Sequence, residues 1–381
     1  MSWKPLSIPL AAGALLTAVF FTDHDAANFD RRLPVGPGGA IAVDIALGSG
    51  ISFDHGSLTI RSHAEDDLRV LAETSGWGKY AVDLDLSHQG EQAALVGRVD
   101  GPLDWLFGGP TVNVSIWVPA DFSVKASLHG GPLLLEDLTG PITARVEEDV
   151  VLRRAEGRVR LASRSGSVEV RDVDGDLEVK SERGDVDIGG VRGSVVVTAG
   201  RGSVEIESVS GPVNVESDQA QVEIDDVRGD VSVTTERGAV DLEEIEGSVF
   251  ARTNRGGIYL EDIDGAVRAQ SVRGSIEVDF EGTPHGVIET ERGEIEIEFR
   301  EGASFDLDAR TEQGRVRLGD AAEEYGDDDS ADLEASDDSE DTSHHKRGLL
   351  RFRGEEVARA INGGGETLRL RSGRGSIRIR D

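Results

Sequence analysis

The 381-residue chain contains no cysteine, which excludes disulfides, zinc–thiolate sites and thiol nucleophiles. Aromatic residues are scarce: 4 Trp, 3 Tyr and 11 Phe are few for a compact core of this length. Basic residues are scarce as well, because 40 Lys and Arg stand against 73 Asp and Glu, a formal net charge of −33. This charge argues against a nucleic-acid partner, since binding to phosphates needs a basic surface. It also disfavours adsorption to an anionic membrane.

The N-terminus carries a short apolar run, residues 6–21, preceded by Lys4 and followed by polar residues. The run is shorter than the ~20 residues that span a bilayer comfortably. A charged start, a short apolar segment and a polar continuation are typical of an export signal. We therefore interpret residues 1–26 as a signal peptide or an N-terminal anchor, with a buried strand or helix as the remaining alternative. The predicted location is outside the cytoplasm, in the periplasm, the outer membrane or at the cell surface.

Glycine is abundant, with 48 residues, and it is periodic. From Gly157 to Gly274 it recurs every nine residues at thirteen of fourteen positions, and Ala220 occupies the other. Alternate nines differ, so the repeat is eighteen residues long. In the repeat from Gly175 to Arg192, offsets +2, +4, +6, +11, +13 and +16 are apolar or small: Leu177, Val179, Ser181, Val186, Ile188 and Val191. Alternation with period two and β-branched residues predict two short strands per repeat.

Such a repeat cannot bury its inward side chains alone, so stacking in parallel is expected. The sequence predicts an all-β fold: a parallel β-solenoid (β-helix) of about 11–12 turns with an 18-residue repeat, plus an N-terminal β-rich cap. A right-handed coil is favoured by the general preference for right-handed parallel crossovers. The corners lack the G-G-x-G-x-D turns of the calcium-binding β-roll, which excludes that fold.

Composition divides the rest of the chain. Residues 28–120 are rich in strand patterns without a clean period and are predicted to form the cap, and residues 121–319 are the solenoid repeats. Residues 320–347 are a predicted disordered acidic insertion, with twelve acidic groups and no Lys or Arg up to residue 345. Residues 348–381 are a final solenoid turn or C-terminal cap of opposite charge, with ten Lys and Arg from residue 346 onward.

No catalytic motif is present: the chain has no G-x-S-x-G, H-E-x-x-H, Walker lysine loop or G-x-G-x-x-G. The eight His show no ligand spacing, and the pair His344-His345 is more simply a part of a solvated loop than a metal site. We therefore predict no catalytic residue, no metal site and no cofactor. A polysaccharide-active enzyme is an alternative supported only by analogy between folds.

One group of outward positions does form a pattern. Offsets +12 and +14 of successive repeats carry mostly carboxylates, which a parallel stack would place on one face at strand spacing. The simplest interpretation is a hydrated surface adapted to a salty environment, as in halophilic proteins. The alternatives are weak divalent-cation binding and a docking surface for a protein or glycan partner. The candidate residues are Glu169, Asp187, Glu205, Glu207, Glu223, Asp225, Asp241, Glu243, Glu261, Glu277 and Asp279.

Several segments resemble the bacterial DUF4097 group. They are residues 33–39 leading into 41–44, the strand 112–119 that ends in Val-Pro, the array of G-x-V-x-V-x-[ST]-x-x-G units, and Gly363-Gly364-Gly365 before the last strands. The resemblance covers most of residues 30–381, and the acidic insertion departs from the usual compact ending. The resemblance implies an exported or envelope-associated β-strand-repeat protein of the kind labelled an adhesin. It assigns no catalytic residue to this chain.

The leading functional prediction is a non-enzymatic, exported, adhesin-like interaction module. Its partner, an unidentified protein or glycan, is not named by any motif. The alternative is a self-associating structural scaffold like a bactofilin, built by end-to-end stacking of turns. The charged acidic insertion and the basic last turn argue against such stacking, since charge at a sheet edge blocks pairing. Contact with a membrane is expected only through an uncleaved N-terminal segment.

Overall fold

The computed structural model describes residues 28–36, 38–47, 56–75, 81–100, 111–319 and 354–381. The chain divides into two compact units, Met1–Ser248 and Val249–Asp381, here called unit 1 and unit 2. Every regular element described is a β-strand. The strands of unit 1 are β1 (Asn28–Pro34), β2 (Ala40–Ala46), β3 (Gly56–His63), β4 (Asp67–Ser75), β5 (Ala81–Gln89), β6 (Gln92–Asp100), β7 (Thr111–Pro119), β8 (Ser123–His129), β9 (Leu133–Leu138), β10 (Ile142–Val146), β11 (Val150–Glu156), β12 (Val159–Ser163), β13 (Val168–Asp174), β14 (Leu177–Arg183), β15 (Val186–Arg192), β16 (Val195–Ser210), β17 (Val213–Arg228), β18 (Val231–Arg237) and β19 (Val240–Glu246).

The strands of unit 2 are β20 (Val249–Arg255), β21 (Ile258–Ile263), β22 (Val267–Ser271), β23 (Ile276–Phe280), β24 (Gly286–Arg292), β25 (Ile295–Phe299), β26 (Phe305–Gln313), β27 (Val316–Leu318), β28 (Glu356–Ile361), β29 (Glu366–Arg374) and β30 (Ile377–Arg380). The predicted all-β, solenoid-like fold is confirmed. No helix in the described part of the chain is long and apolar enough to cross a membrane.

In unit 1 each eighteen-residue coil contributes one strand to each of two parallel stacks, which we call sheet A and sheet B. Sheet A contains β8, β10, β12 and β14, joined in that order. Sheet B contains β9, β11, β13 and β15. The long strands β16 and β17 pass through a corner without a break, so each belongs to both sheets. Strands β18 and β19 follow on sheets A and B.

The core of unit 1 is the column of inward side chains between the two sheets. Val204 and Ile206 are 0% exposed, whereas Glu205 between them points outward. The six inward offsets that the sequence indicates in Gly175–Arg192 are all buried, at 3% exposure or less. β-branched and aliphatic residues fill this narrow space, which explains how a chain with few aromatics buries a continuous core.

Serine and glycine cooperate at the corners after β12 and β14, whereas the hydroxyl of Thr235, at the corresponding position of β18, makes no hydrogen bond with a described residue. The Ser181 hydroxyl donates to the carbonyl of Gly184 at 3.2 Å, and Ser163 makes the equivalent bond to Gly166 at 3.1 Å. Gly184 has φ +135°, and a Cβ there would lie 2.2 Å from the carbonyl oxygen of Gly166 one coil away. The [ST]-x-x-G pattern therefore has a local cause: the hydroxyl satisfies a buried carbonyl, and the glycine lets successive coils approach.

The N-terminal strands of unit 1 stack out of sequence order. β2 lies between β6 and β8, and β3 lies between β7 and β9, all in parallel. The outer strands are antiparallel, since β5 pairs with β6, β4 with β7 and β1 with β4. The region from residue 28 to 120 thus contributes coils to the parallel stack and covers its end with antiparallel strands, which protects the open edge.

Unit 2 shows a similar interleaving. The chain builds the coils β20–β21, β22–β23 and β24–β25, and the coil β29–β30 pairs with β24 and β25 although it is last in sequence. Strands β26 and β27 pair with the far side of this coil. Strand β28 then covers β26 in antiparallel pairing. The last coil in sequence is therefore enclosed by two earlier ones. The N-terminal segment 1–26 and the acidic insertion 320–347 lie outside the described residues.

Candidate functional site

The candidate carboxylates of unit 1 occupy the outer surface of sheet B. Offsets +12 and +14 alternate with the buried offsets +11 and +13, so the strand pleat turns them to the outside. On β16, for example, Glu205 and Glu207 flank the buried Ile206. Eight of the eleven predicted residues lie on this surface: Glu169, Asp187, Glu205, Glu207, Glu223, Asp225, Asp241 and Glu243.

Parallel register arranges these carboxylates in two straight columns. The first column follows the pairs Glu169–Asp187–Glu205–Glu223–Asp241 from β13 to β19. The second column follows Glu207–Asp225–Glu243. Neighbours within a column are one strand apart, about 4.8 Å. We call the six residues of β16, β17 and β19 the acidic face: Glu205, Glu207, Glu223, Asp225, Asp241 and Glu243.

A left-handed kink next to the second column shapes the edge of this face. Ser208, Asp226 and Glu244 each directly follow a residue of that column, and each has a left-handed backbone, with φ between 50° and 55°. Two consecutive residues therefore point outward before the chain turns inward again at offset +16. The extra outward residue explains why the inward positions are +11, +13 and +16 and not +15.

The first column has arginines beside its carboxylates on β13 and β15, whereas the acidic face carries carboxylates only. Arg153 lies 3.5 Å from Glu169, and Arg171 donates to Asp187. Beyond this point the outward positions of the acidic face are carboxylates only. Desolvation raises the pKa of the Glu205 carboxyl above its ordinary value, and the negative charges of Asp187, Glu207 and Glu223 raise it further. The acidic face is therefore a surface on which like charges repel, as Coulomb's law requires at this spacing.

A family model described as Toastrack DUF4097 matches residues 50–251 and 212–344, which is well over half of the chain. The chain belongs to the Toastrack DUF4097 family. This confirms the resemblance drawn from the sequence motifs. A comparison with curated proteins found no match. Among solved structures the chain is similar to one titled "a putative cell adhesion protein" from Clostridium sporogenes ATCC 15579, at 10% identity and a TM-score of 0.17, covering 93% of this chain and 99% of that one. We draw nothing from a match at this TM-score.

The matched residues of the Toastrack model include all eleven candidate carboxylates. Eight of these candidates lie on sheet B of unit 1, and the remaining three, Glu261, Glu277 and Asp279, lie in unit 2 on β21 and β23. Glu277 and Asp279 pair in register with Glu296 and Glu298 of β25, two residues that the sequence analysis missed. The alternation Ile-Glu-Ile-Glu-Phe in residues 295–299 is the signal that could have found them. Burial, and then the charges of Asp262 and Glu298, raise the pKa of Asp279.

In unit 2 of this Toastrack chain, arginine side chains lie beside the acidic residues of β25 and the turn before it. Arg380 lies 2.6 Å from Glu296 and 3.4 Å from Glu298, and Arg378 lies 3.2 Å from Glu294. These arginines come from the enclosed coil β29–β30. Unit 2 therefore neutralises much of its own acidic surface, and the acidic face of unit 1 is the stronger candidate.

The cavities of the described residues are open hollows at coil corners. A cavity of about 400 Å³ in unit 1 is lined mainly by charged corner residues, among them Asp137, Arg154, Asp172 and Arg192. Arg154 donates to both carboxylate oxygens of Asp137 at 2.5 and 3.0 Å, which lowers the pKa of Asp137. Two smaller hollows in unit 2 are lined by corner residues of the same kind. Exposed ion pairs of this sort line the hollow, and each of them contributes about 0–1 kcal/mol to stability.

Proposed function

We propose that this Toastrack protein is a non-enzymatic, adhesin-like interaction module, exported to the cell envelope or surface, that contacts its partner through the acidic face of unit 1. The observation that carries the proposal is the in-register pair of carboxylate columns on β16, β17 and β19, in which all six positions are Asp or Glu. Repulsion within the columns is relieved when a cation or a basic partner neutralises them.

The regular spacing of the face suits a repetitive or extended partner. Carboxylates recur at the strand spacing of about 4.8 Å in one direction, and two columns run side by side. A basic protein segment would pair with them directly. A glycan bearing acidic groups would need divalent cations between the two surfaces, and calcium is bound by carboxylates of this kind.

Export is proposed on separate grounds. The apolar run at residues 6–21 behind Lys4 fits a signal peptide or an anchor, and a chain without cysteine is indifferent to an oxidising compartment. Fractionation of cells that express the full chain tests this step. Recovery of the protein only with cytoplasmic markers would contradict it.

The contact surface is tested with a defined cationic probe. We expect a decalysine peptide to bind the full chain with an affinity that falls steeply between 50 mM and 500 mM NaCl, because the contact is electrostatic. The triple variant Glu205→Gln/Glu223→Gln/Asp241→Asn should weaken binding at least fivefold, measured by titration calorimetry at low salt.

The matched control removes the same charge elsewhere in unit 1. The variant Glu91→Gln/Asp218→Asn/Glu236→Gln neutralises three exposed carboxylates that lie away from the acidic face. Its affinity should stay within twofold of the parent. Equal loss in both triple variants would mean that the probe senses net charge alone, and the acidic face would then have no special role.

The two alternatives, a self-associating scaffold and a polysaccharide-active enzyme, are less well supported. Self-association by end-to-end stacking needs a free parallel edge, but in unit 2 the antiparallel strand β28 covers β26. A polysaccharide-active enzyme would need a groove with converging catalytic groups. The hollow of about 400 Å³ in unit 1 is lined instead by paired charges such as Asp137 with Arg154.

A further inference from the structure

The connection between β3 and β4 brings together three side chains that can bind a metal ion. Strand β3 ends at His63 and β4 begins at Asp67, so only residues 64–66 join them. The two strands do not pair with each other, because β7 lies between them and pairs with both. The connection therefore arches over the end of β7, where His63 is level with Pro119. This arch brings the side chains of His63 and Asp67 together.

The geometry of the three groups is that of a small metal site. One ring nitrogen of His63 and one carboxylate oxygen each of Glu65 and Asp67 all lie within 4.8 Å of one another. The His63 and Asp67 side chains are 18% and 22% exposed. Oδ1 of Asp67 is out of contact with solvent and accepts no hydrogen bond from any described residue. That oxygen lies 3.3 Å from Nε2 of His63.

The neighbouring Arg32 does not supply a hydrogen bond to Oδ1 of Asp67. Nη1 of Arg32 lies 3.6 Å from Glu65 Oε2 and 3.8 Å from Asp67 Oδ2, beyond hydrogen-bonding distance in both cases. Arg32 balances one of the two negative charges and leaves Oδ1 of Asp67 without a partner. Glu65 and Asp67 bring two negative charges against the one positive charge of Arg32, which favours a cation among the three ligands.

We propose that His63, Glu65 and Asp67 bind a zinc ion. One imidazole nitrogen with two carboxylate oxygens is a donor set that zinc accepts, whereas calcium prefers six to eight oxygens. Nε2 of His63 lies 2.7 Å from the backbone carbonyl of Asp67 and donates a hydrogen bond to it, so the nitrogen that binds zinc is either Nδ1 or Nε2 after it gives up that proton. The ion would link β3, which belongs to the parallel stack, to β4 of the antiparallel edge, and would thereby stabilise the attachment of that edge.

The sequence analysis predicted no metal site, and the reason is topological. Residues 63, 65 and 67 alternate along the chain, and on a continuous strand they would only share one face. They converge because the chain arches over β7, a pairing that the sequence pattern of residues 28–120 does not reveal.

The test uses the full chain with His344→Ala and His345→Ala, so that this pair cannot compete for zinc. Calorimetric titration with zinc chloride in 0.5 M NaCl, which screens the scattered carboxylates, should give one saturable site. His63→Ala and Asp67→Asn should each weaken zinc binding at least tenfold. His88→Ala, which changes an exposed histidine on β5, should leave the affinity unchanged.

A second variant guards against a loss of folding. Glu65 is 66% exposed, so Glu65→Gln keeps the fold and should still weaken zinc binding severalfold. Zinc should raise the melting temperature of the parent and should raise it less in Glu65→Gln, because an ion that binds only the folded chain stabilises it. Absence of a saturable site, or a zinc affinity that His63→Ala leaves unchanged, would overturn the proposal.

Discussion

At the scale of single residues, the clearest source of strain is the residue just before the last buried position of each sheet B strand, which has a left-handed backbone. Six residues of unit 1 other than glycine adopt φ between 50° and 59° there: Asp137, Arg154, Asp172, Ser208, Asp226 and Glu244. Gly190 occupies the same position with φ 69° and without a side chain. A left-handed backbone costs an ordinary residue about 1 kcal/mol, and glycine avoids most of that cost.

Exchanging these residues should therefore change stability in opposite directions. We expect Ser208→Gly to raise the free energy of unfolding by about 0.5–1 kcal/mol and Gly190→Ser to lower it by a similar amount. Neither substitution changes the net charge. Urea denaturation followed by circular dichroism would measure both effects, and a loss of stability in Ser208→Gly would contradict this account of the left-handed kink.

The acidic face predicts a pH effect of definite sign. Because the pKa of Glu205 is raised in the folded chain, the folded state binds a proton there more tightly than the unfolded state does. Ionised Glu205 thus opposes folding at neutral pH, and this cost disappears as the pH falls through the raised pKa. Glu205→Gln should stabilise the chain at pH 7 by about 0.3 kcal/mol, a small value because solvent screens an exposed carboxyl, and the difference should vanish near pH 3, where both states are protonated.

Glu178 of sheet A provides the matched control. Its carboxylate accepts from Lys180 at 2.5 Å and from Arg160 at 3.1 Å, and these bonds lower its pKa. The same change, Glu178→Gln, should therefore reduce stability at pH 7, and the difference should shrink as acid protonates the parent carboxylate. Melting temperatures across pH 3–8 would compare the two variants. A common sign at pH 7 would contradict the assignment of repulsion to one site and attraction to the other.

At the scale of strands and coils, the sequence predicts inward and outward positions well but not the order of stacking. The glycine spacing fixes the register, so the burial of Val204 and Ile206 beside an exposed Glu205 follows directly. Residues 368–379 show the same pattern as every other coil. Periodicity assigns them to the solenoid, but it cannot say which neighbours they join. The acidic columns were predictable for the same reason, whereas the arginines that neutralise unit 2 were not.

Charge is the feature that distinguishes the enclosed coil. Five of its outward residues on β29 and β30 are arginines, and two of them contact carboxylates on opposite neighbours: Arg371 donates to Asp308 of β26, and Arg380 to Glu298 of β25. We infer that this complementarity helps to select the position of the coil, because an ion pair between adjacent strands favours one arrangement over another of equal hydrophobicity.

A charge exchange tests this selection. Arg380→Glu places like charges opposite Glu298, its register partner on β25, and should cost about 1 kcal/mol of folding stability. Adding Glu298→Arg reverses the pair and should recover most of the loss. Arg359→Glu on β28, an exposed residue, makes the same change in charge and should have little effect. Additive losses in the double variant, measured as a double-mutant cycle, would show that the pair does not contribute.

At the scale of the whole molecule, the net charge of −33 sets the response to salt. Ion pairs at the surface weaken as salt is added, but carboxylates outnumber their cationic partners, so repulsion is the larger effect. The Debye length falls from about 10 Å at 0.1 M salt to about 3 Å at 1 M, which is shorter than the strand spacing. Repulsion within the acidic columns should therefore be largely screened at 1 M.

We accordingly expect the melting temperature to rise by several degrees between 20 mM and 1 M NaCl. Calcium chloride at equal ionic strength should raise it further if calcium bridges neighbouring carboxylates, because bridging adds binding to screening. The variant Glu205→Gln/Glu223→Gln/Asp241→Asn should lose the additional effect of calcium and keep most of the effect of sodium. A melting temperature that stays level or falls up to 1 M NaCl would mean that the ion pairs between coils outweigh the repulsion. The acidic face would then have no unfavourable energy for a partner to relieve.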